Sequence, residues 1–267
     1  MTTFRTFASG SAGNAALAVS GETRVLIDMG ISCRRICQAL GALSLTPEDL
    51  TAVLITHEHS DHIKGLATYV KKYATPIICT PGTARQLSYR TAGVDALLRP
   101  ARLHETLRWA DMEVELLPTS HDAGESCACH ITTGDGRVGF LTDTGYIPEE
   151  TGQRLLGAEL LVLESNHDED MLWSGRYPYY LKARIQGPEG HLNNADAARF
   201  AAASVEAGTR QVLLAHLSEE NNTPRLALET VGQALAAIGW TGPVAAAPRS
   251  GMSRPYCLER GVCCESL

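Results

Sequence analysis

The chain has 267 residues and a mass of 28.7 kDa, with 44% hydrophobic and 20% charged residues. This composition allows a large buried core and excludes wholesale disorder. We predict a single domain spanning residues 1–267, with a short tail after about residue 259. The net charge of −7 repels nucleic acid as a whole, so binding of a polyanion requires a local basic patch or bound metal.

The sequence contains no signal for a membrane or for secretion. No apolar run approaches the roughly 20 residues of a membrane helix, and residues 1–14 lack the apolar block of a secretory signal. We therefore expect a cytoplasmic protein. None of the eight cysteines has the C-x-x-C spacing of a structural zinc site, and a long unsecreted chain needs no disulfide framework. We expect reduced thiols packed as small hydrophobic groups.

Apolar runs, helix-start residues and turn residues predict the order of elements. In chain order we predict strands at 4–7, 15–19 and 23–27, a helix at 32–43, a helix start at 46–49, a strand at 51–55, a helix at 63–73, a strand at 76–79, a helix at 81–92, strands at 106–109, 112–118, 127–132, 137–142 and 160–163, a helix at 194–207, a strand at 211–215 and a helix at 224–238. Two β-rich halves, each followed by helices, indicate an α/β protein with an αββα layer arrangement.

The segment Thr56–His62 carries three histidines and two carboxylates directly after the strand predicted at 51–55. A polar loop after a buried strand is where α/β proteins place their ligands. His57 and His59 are two residues apart, so in extended backbone they project to the same side. Asp61 and His62 stand at the start of the next helix, where a tight turn can aim them at a second point. This spacing favours two metal ions over one, and over a surface histidine cluster with a helix cap at Asp61.

The H-x-H-x-D-H pattern of this segment resembles the signature motif of the metallo-β-lactamase fold, an αββα sandwich of two mixed β-sheets flanked by helices. Further ligands of that family match residues that follow three later strands: His121, Asp143 and His216. The resemblance implies that His57, His59 and His121 hold a first metal, that Asp61, His62 and His216 hold a second, and that Asp143 bridges the two. Imidazole and carboxylate ligands suit two divalent ions, Zn²⁺ and also Mn²⁺ or Fe²⁺.

Four further segments resemble the YycJ/WalJ-type branch of this family. They are Ser9–Asn14, Leu163–Asp168, Gly190–Asn194 and His216–Asn222. Ala12 and Asn193 depart from the serine expected in relatives, and neither is a ligand position. Members of the branch are metal-dependent DNA exonucleases that degrade duplex from the 5′ end, which implies a nucleic-acid substrate, DNA, for this chain. Asp143 and His216 are 73 positions apart, which leaves no room for the insertion of the β-CASP nucleases.

The resemblance also implies catalytic roles. A phosphodiester is a poor electrophile with a poor leaving group, and two metals activate a water and neutralise phosphoryl charge. In this interpretation a metal-bridged hydroxide attacks phosphorus, Asp61 orients it, and His191 protonates the leaving oxygen as general acid. Glu164 would hold the His191 ring. Alternatively, His191 is a residue at the start of a helix and has no catalytic role.

Candidate substrate-binding residues lie in two of the matched segments. The small residues of Ser9–Asn14 resemble a backbone nest, in which N–H groups converge on an anion, although the loop would equally serve to pack under the site. The candidates are Ser9, Ser11, Asn14, Ser218 and Asn221.

Two other functions remain open from the sequence. A small-molecule hydrolase of the thioesterase or lactonase type on the same fold has no use for a leaving-group acid at His191. A non-catalytic regulatory protein would keep the fold without needing bound metal. The sequence names no protein partner.

Overall fold

The computed structural model describes residues 1–259, and the predicted tail lies outside the described residues. Fourteen strands within this range form two mixed sheets of seven strands each. In spatial order the first sheet contains β14 (Tyr256–Leu258), β1 (Thr2–Ala8), β2 (Ala15–Ser20), β3 (Thr23–Ile27), β4 (Ala52–Leu54), β5 (Ile77–Cys79) and β6 (Leu98–Pro100). The second contains β13 (Val244–Ala246), β12 (Gln211–Ala215), β11 (Leu160–Glu164), β10 (Gly136–Leu141), β9 (Cys127–Thr133), β8 (Met112–Pro118) and β7 (Thr106–Arg108).

Helices connect the strands and cover both outer faces. In the described range they are α1 (Cys33–Gly41), α2 (Ser60–Ile63), α3 (Leu66–Tyr69), α4 (Pro81–Arg90), α5 (Glu149–Leu155), α6 (Glu169–Ser174), α7 (Tyr179–Gln186), α8 (Asn194–Glu206) and α9 (Pro224–Ala237), with a 3₁₀ turn at Pro47–Asp49. Side-chain caps fix where several of these helices begin. The side chain of Asn193 accepts a hydrogen bond from a backbone N–H in the first turn of α8, and the side chain of Thr223 does the same for α9.

Three apolar clusters lie between the layers and hold them together. The central cluster joins the inner faces of the two sheets, where the rings of Phe4 and Phe140 lie 6.1 Å apart. A second cluster packs Ile36 and Leu66 from the helices onto the first sheet, and a third packs α8 and α9 onto the second sheet. Burial of these residues drives the sheets and helices together. The predicted αββα sandwich of two mixed sheets is confirmed.

The predicted elements differ from the observed ones in two respects. The helix predicted at 63–73 is wrong, because the chain forms α2 and α3 with Gly65 between them. The N–H of Gly65 donates to Met29 O at 2.8 Å, and a Cβ there would lie 2.4 Å from Ile31 O. The prediction also missed β6, β13, β14, α5, α6 and α7, which are three to eight residues long. Cysteines 33, 37, 79, 127 and 129 are free thiols, as predicted.

The candidate site lies where strands of both sheets end at one edge. β3 and β4 are parallel in the first sheet, as are β10, β11 and β12 in the second. Parallel strands end on the same side, so the residues that follow them meet. Those residues are Asp28 after β3, His57 after β4, His121 after β8, Asp143 after β10, Glu164 at the end of β11 and His216 after β12.

Candidate metal centre

The seven predicted ligand residues lie together in overlapping groups. One group contains His57, His59 and His121, and another contains Asp61, His62 and His216. In each group the possible ligand atoms lie within 4.8 Å of one another. Asp143 forms a further group with His57 and His62, and another with Glu164, His191 and His216. Its carboxylate therefore lies between the two predicted metal positions.

Each predicted histidine ligand has one ring nitrogen held by the protein. The contacts are His57 Nδ1 to Thr56 Oγ1 (3.1 Å), His59 Nε2 to Asp122 O (3.2 Å), His62 Nδ1 to Asp28 Oδ2 (2.7 Å), His121 Nδ1 to Gly190 O (3.0 Å) and His216 Nδ1 to Glu164 Oε1 (2.9 Å). Metal-binding histidines are held in this way, because the second contact fixes the tautomer and the direction of the ring. The other nitrogen of each ring faces the shared space.

Buried polar atoms at the centre lack partners. Among residues 1–259, His57 Nε2 and Asp143 Oδ2 are buried without a hydrogen-bond partner. Nε2 of His62 lies 3.4 Å from the Asp143 oxygen. Leaving such groups unsatisfied costs about 1–3 kcal/mol each, and a cation between them removes that cost. This donor set of imidazole nitrogens and carboxylate oxygens fits divalent metal ions.

Strained backbone marks the strand ends of the site. Asp28, Asp143 and His216 have φ values of +62°, +58° and +54°, in the left-handed region that residues other than glycine rarely adopt. Such conformations cost of order 1–3 kcal/mol and persist where surrounding contacts enforce them. At Asp143 and His216 the turn directs the side chain into the cluster.

Asp28 is a functional residue that the sequence reasoning missed. It is 1% exposed and accepts hydrogen bonds from Thr56 N at 2.8 Å and from Thr56 Oγ1 at 2.9 Å. Its Oδ2 lies 2.7 Å from His62 Nδ1, so it directs Nε2 of that ring to the cluster. The available signal was an acid directly after the strand Thr23–Ile27, as for Asp143.

Close backbone packing fixes Asp61. A Cβ on Gly30 would lie 1.5 Å from Asp61 O, so the position admits no side chain. Asn14 N donates to the same carbonyl at 2.8 Å, and Asn14 Nδ2 lies 3.3 Å from Asp61 Oδ2. The loop before β2 thereby holds the start of α2 against the cluster.

The electrostatics differ between the two histidine groups. Burial lowers the pKa of His57 well below its ordinary value and also lowers that of His121. Burial alone would lower the pKa of His216, but the charge of Asp143 and the hydrogen bonds that the ring donates to Asp61 and Glu164 raise it to about 10. Asp143 and Asp28 likewise raise the pKa of His62 against the effect of burial. The raised pKa values favour the protonated rings of His62 and His216, and a metal that binds them must displace those protons.

Glu164 connects His191 to the cluster. Its Oε1 lies 2.8 Å from His191 Nδ1 and 2.9 Å from His216 Nδ1, and its Oε2 accepts from Thr144 N at 2.9 Å and Leu192 N at 3.2 Å. Burial alone would raise the pKa of Glu164, but the two rings lower it to about 2. The side chain of His191 is 21% exposed, and its Nε2 has no hydrogen-bond partner among residues 1–259, so this atom is open to a ligand.

The predicted substrate-binding residues lie beside the cluster, mostly turned inward. Ser9 Oγ accepts from His216 N at 2.8 Å, and Ser218 Oγ accepts from Asn221 N at 3.1 Å. Asn14 is also buried, and of the five Ser11 is exposed. In this structure the buried polar groups support the loops of the site, and their contact with a substrate stays a prediction.

A model of the family described as "Beta-lactamase superfamily domain" matches residues 23–217. The chain belongs to this superfamily. It is 34% identical to exodeoxyribonuclease YycJ of Bacillus anthracis over 238 residues, which cover 89% of this chain and 90% of YycJ. It is 35% identical to exodeoxyribonuclease WalJ of Streptococcus pneumoniae over 232 residues, 86% of each chain. The predicted YycJ/WalJ-type family is confirmed, and with it a metal-dependent hydrolase.

Solved structures show the same fold at low sequence identity. The metallo-β-lactamase fold protein YhfI from Bacillus subtilis aligns with a TM-score of 0.71 at 20% identity, covering 95% of this chain and 100% of YhfI. Zn²⁺-bound PqqB from Methylobacterium extorquens aligns with a TM-score of 0.68 at 16% identity, covering 94% of this chain and 99% of PqqB.

Along residues 1–259, no helix is both long and apolar enough to span a bilayer.

Proposed function

We propose that the protein is a two-metal exonuclease that degrades DNA from the 5′ end. The observation that carries the proposal is the pair of ligand groups that share Asp143 and lie beside the Glu164–His191 pair. The likeness to YycJ and WalJ, both named exodeoxyribonucleases, supports nucleic acid as the substrate. It extends over at least 86% of the length of each relative, so it includes the whole site.

In this proposal the two histidine groups would each hold one divalent ion, and Asp143 would contact both. The first ion would bind His57, His59 and His121, and the second would bind Asp61, His62 and His216. Zn²⁺, Mn²⁺ and Fe²⁺ all suit these ligands. When bound, such ions supply a water activated near neutral pH and positive charge for the phosphoryl oxygens.

Asp61 would orient the attacking water. Its Oδ2 lies 3.4 Å from His216 Nε2 and 3.5 Å from His62 Nε2, at the centre of its group. Burial raises the pKa of Asp61, but hydrogen bonds from His216 and His62 outweigh it and lower the pKa below the ordinary value. The side chain is therefore a charged acceptor at neutral pH, as the role requires.

His191 would donate the proton that the leaving oxygen needs. Glu164 engages its Nδ1, so Nε2 is the atom that faces a substrate. A carboxylate behind an imidazole fixes the tautomer and the direction of the ring. The leaving group of DNA hydrolysis is an alkoxide, so protonation at this position accelerates the reaction.

A cleft beside Asp61 would admit the strand despite the net charge of −7. It has a volume of about 530 Å³ and is lined by Asp61, Lys64, Arg90, Ser11 and Ala12 among others. Arg90 Nη1 donates to Glu58 O at 3.0 Å, which holds its guanidinium at this cleft. Lys64 and Arg90 in this lining supply positive charge for a phosphate backbone beside the acids Glu58 and Asp61.

The test is a time course on end-labelled duplex DNA with added Mn²⁺. The proposal predicts progressive release of mononucleotides that begins at the 5′ end, and no release by Asp143→Ala protein. Release from the 3′ end would contradict the polarity. Metal-loaded protein that releases nothing from DNA, but cleaves RNA or a small ester, would contradict DNA as the substrate.

A further inference from the structure

A second cavity adjoins the cleft beside Asp61. It has a volume of about 210 Å³ and is more enclosed than that cleft. Ser11 and Ala12 line both spaces, so the two share a wall. The cavity is also lined by Arg35 from α1 and by Arg249, which lies between β13 and β14. None of these arginines was among the residues proposed above for metal binding or catalysis.

The two arginines bring unpaired positive charge to this cavity. Arg249 is half-buried, and its Nη2 donates to Ser218 O at 2.7 Å and to Asn222 O at 3.2 Å. Carbonyl groups fix this guanidinium without neutralising it, and its Nε is buried with no partner in the described chain. Within residues 1–259, neither arginine pairs with a carboxylate. Glu219 is the acid of the lining; it is exposed, as is Arg35, so solvent screens both of these charges, whereas Arg249 is half-buried.

Main-chain N–H groups add uncharged donors. Ser11 and Ala12 are exposed, and their N–H groups donate no hydrogen bond to residues 1–259. The flanking Gly10 and Gly13 have φ values of +148° and +157°, and a Cβ on Gly13 would lie 2.5 Å from Gly30 O. This backbone is therefore restricted to glycine and leaves the two amides open. Open amides beside guanidinium groups form an anion site.

We propose that this cavity binds the 5′-terminal phosphate of the nucleic-acid strand, an inference that rests on the exonuclease function proposed above. A terminal phosphate monoester carries about −1.5 to −2 charges at neutral pH, more than an internal diester, and so suits two arginines. The cavity is enclosed, which suits the end of a nucleic-acid strand better than its middle. Gly13 precedes Asn14, which contacts Asp61, and Leu217 of the lining follows His216. A phosphate here would therefore lie beside the bond to be cut.

The experiment compares 5′-phosphorylated with 5′-hydroxyl duplex as substrates of the Mn²⁺-loaded protein. The variants are Arg35→Ala and Arg249→Gln. Arg34→Ala is the matched control, because Arg34 is exposed on the same helix and does not line the cavity. Turnover of bis(p-nitrophenyl) phosphate, which has no terminal phosphate, serves as a second readout of the metal centre.

The proposal predicts that the wild type prefers the phosphorylated end by about 10-fold or more in kcat/KM, mainly through KM. Arg35→Ala and Arg249→Gln should abolish the preference, while Arg34→Ala retains it and Arg35→Ala leaves turnover of the small diester unchanged. If the variants lose kcat/KM equally on the phosphorylated and the hydroxyl duplex, the assignment to a terminal phosphate is wrong and the cavity binds an internal phosphate. An Arg35→Ala protein that behaves like Arg34→Ala would overturn the site altogether.

Failure of the exonuclease function is distinguishable from failure of this site. A direct measurement uses the fluorescence anisotropy of a labelled strand with either 5′ end. Wild-type protein that cuts no nucleic acid, yet binds the phosphorylated strand more tightly in an Arg35-dependent manner, would contradict the function and support the cavity. Equal binding of the phosphorylated and the hydroxyl strand would overturn the assignment of the cavity to a 5′-terminal phosphate.

Discussion

Replacement of Glu164 by glutamine tests how the protein supports His191. Oε2 of Glu164 accepts two backbone N–H groups, so the amide oxygen of the Glu164→Gln side chain must occupy that position. The amide NH₂ then faces the Nδ1 atoms of His191 and His216 and can accept no hydrogen bond from either. The variant therefore keeps the shape of the side chain and removes the charge behind both rings.

The size of the effect follows from the environment of this carboxylate. Glu164 is fully buried, and the rings lower its pKa from 4.5 to about 2. That shift corresponds to about 3 kcal/mol, in the range of one or two charge-assisted hydrogen bonds. Because the folded pKa is lowered, this contribution to stability is present above pH 4.5 and is lost as the pH falls toward 2. We expect kcat on DNA to fall about 10²-fold, with little change in KM.

The assay compares two substrates and two genetic backgrounds. At saturating Mn²⁺, which offsets weaker metal binding at His216, Glu164→Gln should slow DNA cleavage far more than hydrolysis of bis(p-nitrophenyl) phosphate, because nitrophenolate leaves without a proton donor. In a His191→Ala background the same substitution should add little further loss on DNA. Glu149→Gln, at the exposed start of α5, is the control. Equal losses on the two substrates, or a full additional loss in the His191→Ala background, would refute the role of Glu164 through His191.

Three other substitutions have defined outcomes. Asp28→Asn should weaken metal binding about 10- to 100-fold by releasing His62 Nδ1, measured by competition with a chelator; unchanged affinity would contradict that role. Gly30→Ala should displace Asp61 and lower the free energy of unfolding by at least about 1–3 kcal/mol, so an unchanged thermal midpoint would contradict the packing. Burial lowers the pKa of His167 to about 4, so this residue should contribute a loss of up to about 3 kcal/mol to the change in wild-type stability between pH 6.5 and 4. His167→Leu should lose less stability over that range in circular dichroism, and equal losses would contradict this prediction.

The strands that carry the site were predictable, because long apolar runs end in polar residues. The observed strands Thr23–Ile27, Met112–Pro118 and Gln211–Ala215 have the predicted bounds. The convergence of His121, Asp143 and His216 followed from the resemblance, since their distances along the chain do not indicate proximity. Short edge strands such as Val244–Ala246 were missed, because three residues show no measurable alternation.

Contacts between distant segments limited the prediction of the site. A lone acid after a strand is typical of a turn, so Asp28 gave no sign of its contact with His62, 34 residues later. Gly65 interrupts a helical pattern because its N–H bonds to Met29, which the local sequence does not show. The cavity at Arg249 combines residues from both ends of the chain. Such arrangements depend on how the two sheets pack, and the secondary-structure propensity of each segment does not predict them.

The proposed reaction requires that two metal ions share this cluster and that both are needed to cut DNA. Ion-free protein is titrated with Mn²⁺ while bound metal and cleavage of end-labelled duplex are measured in the same samples. We expect two ions per chain, cleavage that rises with the second, and loss of both the second ion and cleavage in His216→Ala. Full cleavage with one bound ion, or two ions and full cleavage in His216→Ala, would contradict the claim.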